Sequence, residues 1–204
     1  KLIMSDRIIH IYTEASPNPN SLKFVLNFDL IDISLDFPTI EDTKNCPLAK
    51  ELFDRFQFIQ RVFIANNFIT ITKEEAIDWF EVMPSVKDCI KKYIQDERVI
   101  FSDDIKKQVV GQELKEKKVN EEKGNDVETI DKIKVVLDEY VKPAVESDGG
   151  AISFLAFDEG KVTVLLQGSC SGCPSATVTL KSGVENLLKK MVPEVTEVVA
   201  EGVG

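Results

Sequence analysis

The chain has 204 residues, 43% hydrophobic and 29% charged, a composition that excludes wholesale disorder, a collagen repeat or a disulfide-dense miniprotein. A net charge of −10 repels phosphate backbones, so no nucleic acid partner is expected. No apolar run approaches the roughly 20 residues that a membrane-spanning helix needs, so no membrane partner is expected, and residues 1–7 carry no targeting pattern.

Ten of the twelve phenylalanines lie at or before Phe101, and eight of the ten glycines lie after residue 148. Between these regions runs a charged, aromatic-poor stretch that suits a solvated linker. The expected architecture is α+β: two small α+β domains at residues 1–101 and 127–204, joined by a charged linker at 102–126. In the first domain Ile9 and Ile11 alternate with His10 and Tyr12, which predicts a strand. Pro17-Asn18-Pro19-Asn20 predicts a loop. Leu22, Phe24, Leu26 and Phe28 alternate with Lys23, Val25 and Asn27 as a second strand. Asn45-Cys46-Pro47 opens a short helix, with Pro47 at its first position. Val62-Phe63-Ile64 and Phe68-Ile69-Thr70-Ile71 flank Asn66-Asn67, a tight-hairpin signal. Thr72-Lys73-Glu74-Glu75 has capping-box spacing and predicts a helix start, with Pro84 breaking or restarting that helix. Val86, Cys89, Ile90, Tyr93 and Ile94 then mark one helical face.

The second domain reads helix, hairpin, helix, strand. Val127, Ile130, Ile133, Leu137, Tyr140, Val141 and Ala144 recur at steps of three or four. Pro143 should kink this helix near its end, and Asp148-Gly149-Gly150 should end it. Ile152 and Phe154 begin a strand, Asp158-Glu159-Gly160 turns it, and Val162, Val164 and Leu166 form its return. Ala176, Leu180, Val184, Leu187, Leu188 and Met191 describe an amphipathic helix. Val195 to Ala200 reads as a last strand.

Chemistry is bounded by four cysteines and one histidine. A lone histidine, His10, excludes a multi-His metal site. Cys46, Cys89, Cys170 and Cys173 are too few and too scattered for a secreted disulfide framework, which points to a reducing compartment. Cys89 falls on an apolar helical stripe and reads as a small core residue. Cys46 precedes Pro47 at a helix start and reads as structural. Trp79 and Phe80 read as core or partner-facing groups, and Asp148 as a helix-end residue.

The informative segment is Gly168-Ser169-Cys170-Ser171-Gly172-Cys173-Pro174. Two cysteines separated by two residues can turn both sulfurs toward one point. Gly168 lets the chain leave the strand sharply, and Gly172 relaxes the backbone between the thiols. Pro174 suits the first position of the next helix, which puts Cys173 at its N-cap, where the helix dipole favours a thiolate. Three uses compete. A zinc site needs four ligands, and this loop supplies two. A thioredoxin-like dithiol belongs at a strand end in a βαβ unit, whereas this pair follows an antiparallel hairpin. An iron–sulfur cluster also takes four thiolates, which two copies of the loop meeting across a two-fold axis would supply.

Val141-Lys142-Pro143-Ala144-Val145-Glu146-Ser147-Asp148-Gly149-Gly150 and the run from Leu166 through Cys170 and Cys173 to Glu185 resemble the NifU C-terminal (Nfu-type) domain over about residues 127–204. Ala151 departs from the acidic residue that family members often carry there. Residues 8–95 resemble the Nfu N-terminal domain through Thr13-Glu14-Ala15-Ser16-Pro17-Asn18-Pro19-Asn20-Ser21-Leu22-Lys23-Phe24 and Pro47-Leu48-Ala49. The resemblance implies a non-enzymatic iron–sulfur scaffold or carrier. It would hold a [4Fe–4S] cluster between two subunits through Cys170 and Cys173, form a homodimer when cluster-bound, and deliver the cluster to apo iron–sulfur proteins. Upstream cluster assembly proteins are further expected partners. The expected setting is a bacterial cytoplasm, or the mitochondrial matrix for a processed eukaryotic chain.

Overall fold

The structure, a computed structural model, describes residues 8–102, 104–105, 127–169 and 174–202. The chain divides into two α+β units, Lys1–Gln108 and Val109–Gly204.

The first unit is built on five antiparallel strands: β1 (Ile11–Ala15), β2 (Ser21–Leu26), β3 (Ile31–Phe37), β4 (Ile59–Asn66) and β5 (Phe68–Lys73), ordered β1-β2-β5-β4-β3. The β4–β5 hairpin turns at Asn66-Asn67 as the sequence predicts. Asn66 takes φ +45°, a conformation that asparagine tolerates better than most residues. Helix α1 (Pro47–Arg55) and helix α2 (Trp79–Gln95) carry the unit's other apolar surface. Phe24, Leu26, Ile69 and Ile71 from the sheet join Leu48, Leu52 and Ile90 from the helices in one buried cluster. Ile105 is also buried in it; residues 103 and 106–126 of the expected linker lie outside the described residues.

Three expectations for this unit need correction, and one strand has no counterpart among them. The first strand begins at Ile11, after buried Ile9 and exposed His10. Strand β3 is the addition: Ile31, Ile33, Leu35 and Phe37 alternate with Asp32, Ser34 and Asp36. The Thr72–Glu75 spacing does not start a helix. Thr72 belongs to β5, where its hydroxyl shares a 2.7 Å hydrogen bond with Ser21 across the ladder. The helix starts instead behind Asp78, whose carboxylate accepts the Phe80 N–H at 2.9 Å. Pro84, finally, lies inside α2 without breaking it. An interior proline costs about 3 kcal/mol. The five buried side chains that follow, Val86, Cys89, Ile90, Tyr93 and Ile94, each contribute roughly 1.5–3 kcal/mol for the large apolar ones, so burial of that face wins.

The second unit opens with helix α3 (Val127–Val136), passes through a π turn (Leu137–Val141) and continues as helix α4 (Lys142–Ser147). Its buried residues Ile133, Leu137, Val141 and Val145 fall every fourth position. A regular α-helix drifts about 40° with each such step. The wider π turn takes up the drift, and the Lys142 N–H donates to the Leu137 carbonyl across it. The distortion expected at Pro143 therefore takes this form. It also shifts the register: Tyr140 and Ala144, expected on the buried face, are exposed. Strands β6 (Gly150–Asp158) and β7 (Lys161–Gly168) form the expected hairpin, turning at Glu159 (φ +47°) and Gly160 (φ +84°). Two positive φ values are what a type I′ turn requires.

Helix α5 (Pro174–Met191) then returns the chain to β8 (Glu197–Gly202), which pairs with β7 in parallel. Parallel pairing needs such a helical crossover. Val184 and Leu188 of α5 are buried, whereas Met191 is exposed. The unit thus contains a βαβ element, β7–α5–β8, in the place where the sequence suggests a hairpin context alone. That context therefore gives no ground against a dithiol.

Candidate functional site

Cys170 and Cys173 lie outside the described residues, but both ends of their loop are described. The upstream end is a set of backbone turns. Helix α4 closes at Asp148, whose N–H donates to the Ala144 carbonyl, and Gly149 follows at φ +84°. Gly150 pairs with Gly168, the last residue of β7. At Gly168 φ is +68°, a value that side chains resist, so the strand leaves its ladder there. Ser169, 2% exposed, donates its N–H to the Gly149 carbonyl at 3.3 Å and its hydroxyl to the Asp148 carbonyl at 2.6 Å. The downstream end is the start of α5 at Pro174, directly after Cys173. The first N–H groups of a helix lack intrahelical partners and stabilise negative charge nearby.

The other sequence candidates are elsewhere and differently placed. Cys46 caps α1 ahead of Pro47, as expected, and is fully buried. Burial pushes its thiol up to about 12, although the Leu48 and Ala49 N–H groups oppose the rise. Cys89 is also buried; burial raises its thiol pKa, and the Arg55 guanidinium beside it acts in the opposite direction. Among the described residues Cys46 and Cys89 are free thiols, and no three histidine, cysteine or acidic side chains gather as a metal site. Trp79 and Phe80 separate: Trp79 meets Phe24 edge-on with ring centroids 6.1 Å apart, while Phe80 is 85% exposed. Ser169 carries no periodic signal in the sequence, and its one hint is its place directly before Cys170.

Comparison with known proteins bears on both units. Residues 11–97 match the scaffold protein Nfu/NifU N-terminal domain, and residues 133–199 match the NifU-like domain. Over 97% of its length the chain is 39% identical to the mitochondrial NFU1 iron-sulfur cluster scaffold homolog of Drosophila willistoni, spanning 65% of that protein. Over 93% of its length it is 35% identical to the human protein of the same name, spanning 70% of it. The chain belongs to the Nfu family. NifU-like protein 4, mitochondrial, from Arabidopsis thaliana is a further Nfu relative, 35% identical over 96% of the chain and 67% of its own length. The chain thus spans about two thirds of the length of these three relatives.

Proposed function

We propose that this Nfu-family chain is an iron–sulfur cluster scaffold and carrier. Cys170 and Cys173 are its ligands, the cargo is a [4Fe–4S] cluster shared between two copies, and the acceptors are apo iron–sulfur proteins. The reading rests on where the thiols fall. Cys46 and Cys89 are enclosed in the first unit's core, which withholds them from metal, while the remaining pair spans the short link between β7 and α5. Two thiolates per chain are half of what such a cluster takes, so a second copy completes the set. Loading comes from upstream cluster assembly proteins. Delivery is ligand exchange: each iron–sulfur bond to this chain breaks as one to an acceptor thiolate forms, and the released thiolate takes up the acceptor's proton. No general acid or base is required, so the chain acts as a carrier and not an enzyme. The three relatives are named mitochondrial, which favours a mitochondrial compartment.

A second reading, a thiol–disulfide oxidoreductase using the same pair, is favoured by the parallel β7–α5–β8 arrangement. Anaerobic reconstitution with iron and sulfide, followed by metal and sulfide analysis and a mass measurement, separates the two. The carrier reading expects a coloured dimer holding one four-iron, four-sulfide cluster. Cys170→Ser or Cys173→Ser should abolish that species, and Cys89→Ser should not. A colourless monomer that turns over disulfides would replace it with the second reading.

A further inference from the structure

We propose that the first unit carries a binding site for free hydrogen phosphate, in a cleft between the C-terminal parts of α1 and α2. The cleft has a volume of about 200 Å³ and is lined from both helices and by Arg98, which follows α2. It lies in the unit that does not hold the cysteine pair, so the inference stands apart from the carrier reading.

Sequence spacing builds the cleft. Glu51 and Arg55 stand four residues apart on α1, and Cys89, Lys92 and Asp96 follow steps of three and four along α2 and its C-cap, so each set shares one helical side. Cations outnumber carboxylates there, three to two. Glu51 serves two arginines unequally. Its Oε2 accepts from Arg98 Nη2 at 3.0 Å, while Arg55 Nη1 stays 3.8 Å from Oε1, beyond hydrogen-bond reach. Lys92 makes no ion pair among the described residues. Arg98 is held in place by stacking, with its guanidinium carbon 4.0 Å from the centre of the Tyr93 ring. Cys89 is buried, and burial raises its thiol pKa, so it stays protonated and adds no negative charge. Helix dipoles account for a cation in the last turn of each helix, but not for three cations meeting at one cleft.

The unused donors select the ligand. Arg55 brings a fork of N–H groups matched to oxyanions, and Lys92 a mobile point charge. A cleft of this size falls below the roughly 300–1,000 Å³ that drug-sized ligands occupy, so a single oxyanion fits it and a nucleotide does not. Glu51 and Asp96 then decide between oxyanions. A carboxylate repels an anion that offers acceptors alone, but it accepts the P–O–H proton of hydrogen phosphate. Sulfate has no such proton at neutral pH and is rejected. A phosphate monoester loses its last proton at a pKa of about 6 and is rejected on the same ground.

The test titrates the isotope-labelled, full-length apo chain, with its thiols reduced, near neutral pH and at constant ionic strength. The probes are inorganic phosphate, sulfate and phosphoserine, and the readout is amide and arginine side-chain NMR shifts. Phosphate is expected to give saturable shifts at Arg55, Lys92 and Arg98. Sulfate and phosphoserine should bind about ten-fold more weakly, and Arg55→Gln and Lys92→Gln should each weaken phosphate about ten-fold, the loss of one charge-assisted hydrogen bond. Phosphate shifts that do not saturate, or that spread over lysines away from the cleft, overturn the proposal. Sulfate or phosphoserine binding as tightly as phosphate overturns it as well, because the carboxylates then take no part in selection. Variants that bind phosphate as the parent does have the same force. If either substitution unfolds the first unit, the comparison of the three anions in the parent decides alone.

Discussion

Cys46 and Cys173 each stand immediately before a proline that begins a helix, α1 in one unit and α5 in the other. At Cys46 the N-cap position is filled and the Leu48 and Ala49 N–H groups favour the thiolate, and yet burial pushes the thiol from 9.0 up to about 12. The favourable field of a helix start is worth about 0.3–1 kcal/mol, less than the 1.36 kcal/mol that moves a pKa by one unit. Removal from water acts against it with several times that strength. A cysteine at a helix start is thus no thiolate by virtue of the helix. Access to water decides, and the first unit's phenylalanine-rich core denies it to Cys46. Cys173 differs in having a second cysteine three residues upstream and a glycine beside it, on a link between two anchored ends.

The contrast predicts that the two helix starts belong to separately melting units. Leu52→Ala should destabilise the first unit and Leu188→Ala the second, each by about 2–5 kcal/mol as fully buried leucines do. Calorimetry of the full chain should show one transition moving in each variant; both transitions moving together would break the contrast. The Cys46 environment should also be visible in pH. Its folded pKa lies above the unfolded one, so the protonated thiol's contribution is fully present below pH 9 and is lost as pH rises from 9 to about 12. The first unit's unfolding free energy should fall by about 1 kcal/mol per pH unit in that window. Cys46→Ala should remove the largest single part of this slope; burial raises the Cys89 and Tyr93 pKa values as well, which leaves a residual one. An unchanged slope in denaturant titrations would show that Cys46 is not held as described.

Smaller effects sharpen the picture within the second unit. A Cβ on Gly160 would lie 2.7 Å from the Thr196 hydroxyl and 3.0 Å from the Glu194 carbonyl, at a φ of +84°. Gly160→Ala should cost about 1–3 kcal/mol. Gly183, inside α5, has nothing within 4 Å of that position, so Gly183→Ala should stabilise the unit by about 0.5–1 kcal/mol. Thermal melts of both variants check the pair, and equal shifts would contradict it.

Features carried by neighbouring residues were legible in the sequence. The hairpin turns at Asn66-Asn67 and Asp158-Glu159-Gly160, the apolar face of α2 and the Cys46-Pro47 helix start all follow from local chemistry. What escaped depends on distant partners. Asp36 argues against a strand until it meets Arg61 on β4, 3.0 Å away. Thr72 looks like a cap until Ser21 claims its hydroxyl. The parallel pairing of β7 with β8 has no local signature, because it is made by the path of α5. Of the site, the motif itself was plain in the sequence, whereas the Ser169 contacts required the fold.

The π turn at Leu137–Val141 has a consequence for chain length. It holds one residue more than the α turn it replaces, so removing one residue there should restore ordinary helical winding and leave Val145 on the buried face. The same deletion in the regular turns of α3 or α4 would rotate everything after it by about 100° and take Val145 out of the core. Drift in length among descendants of this sequence is therefore expected to be better tolerated at residues 137–141 than in the turns on either side.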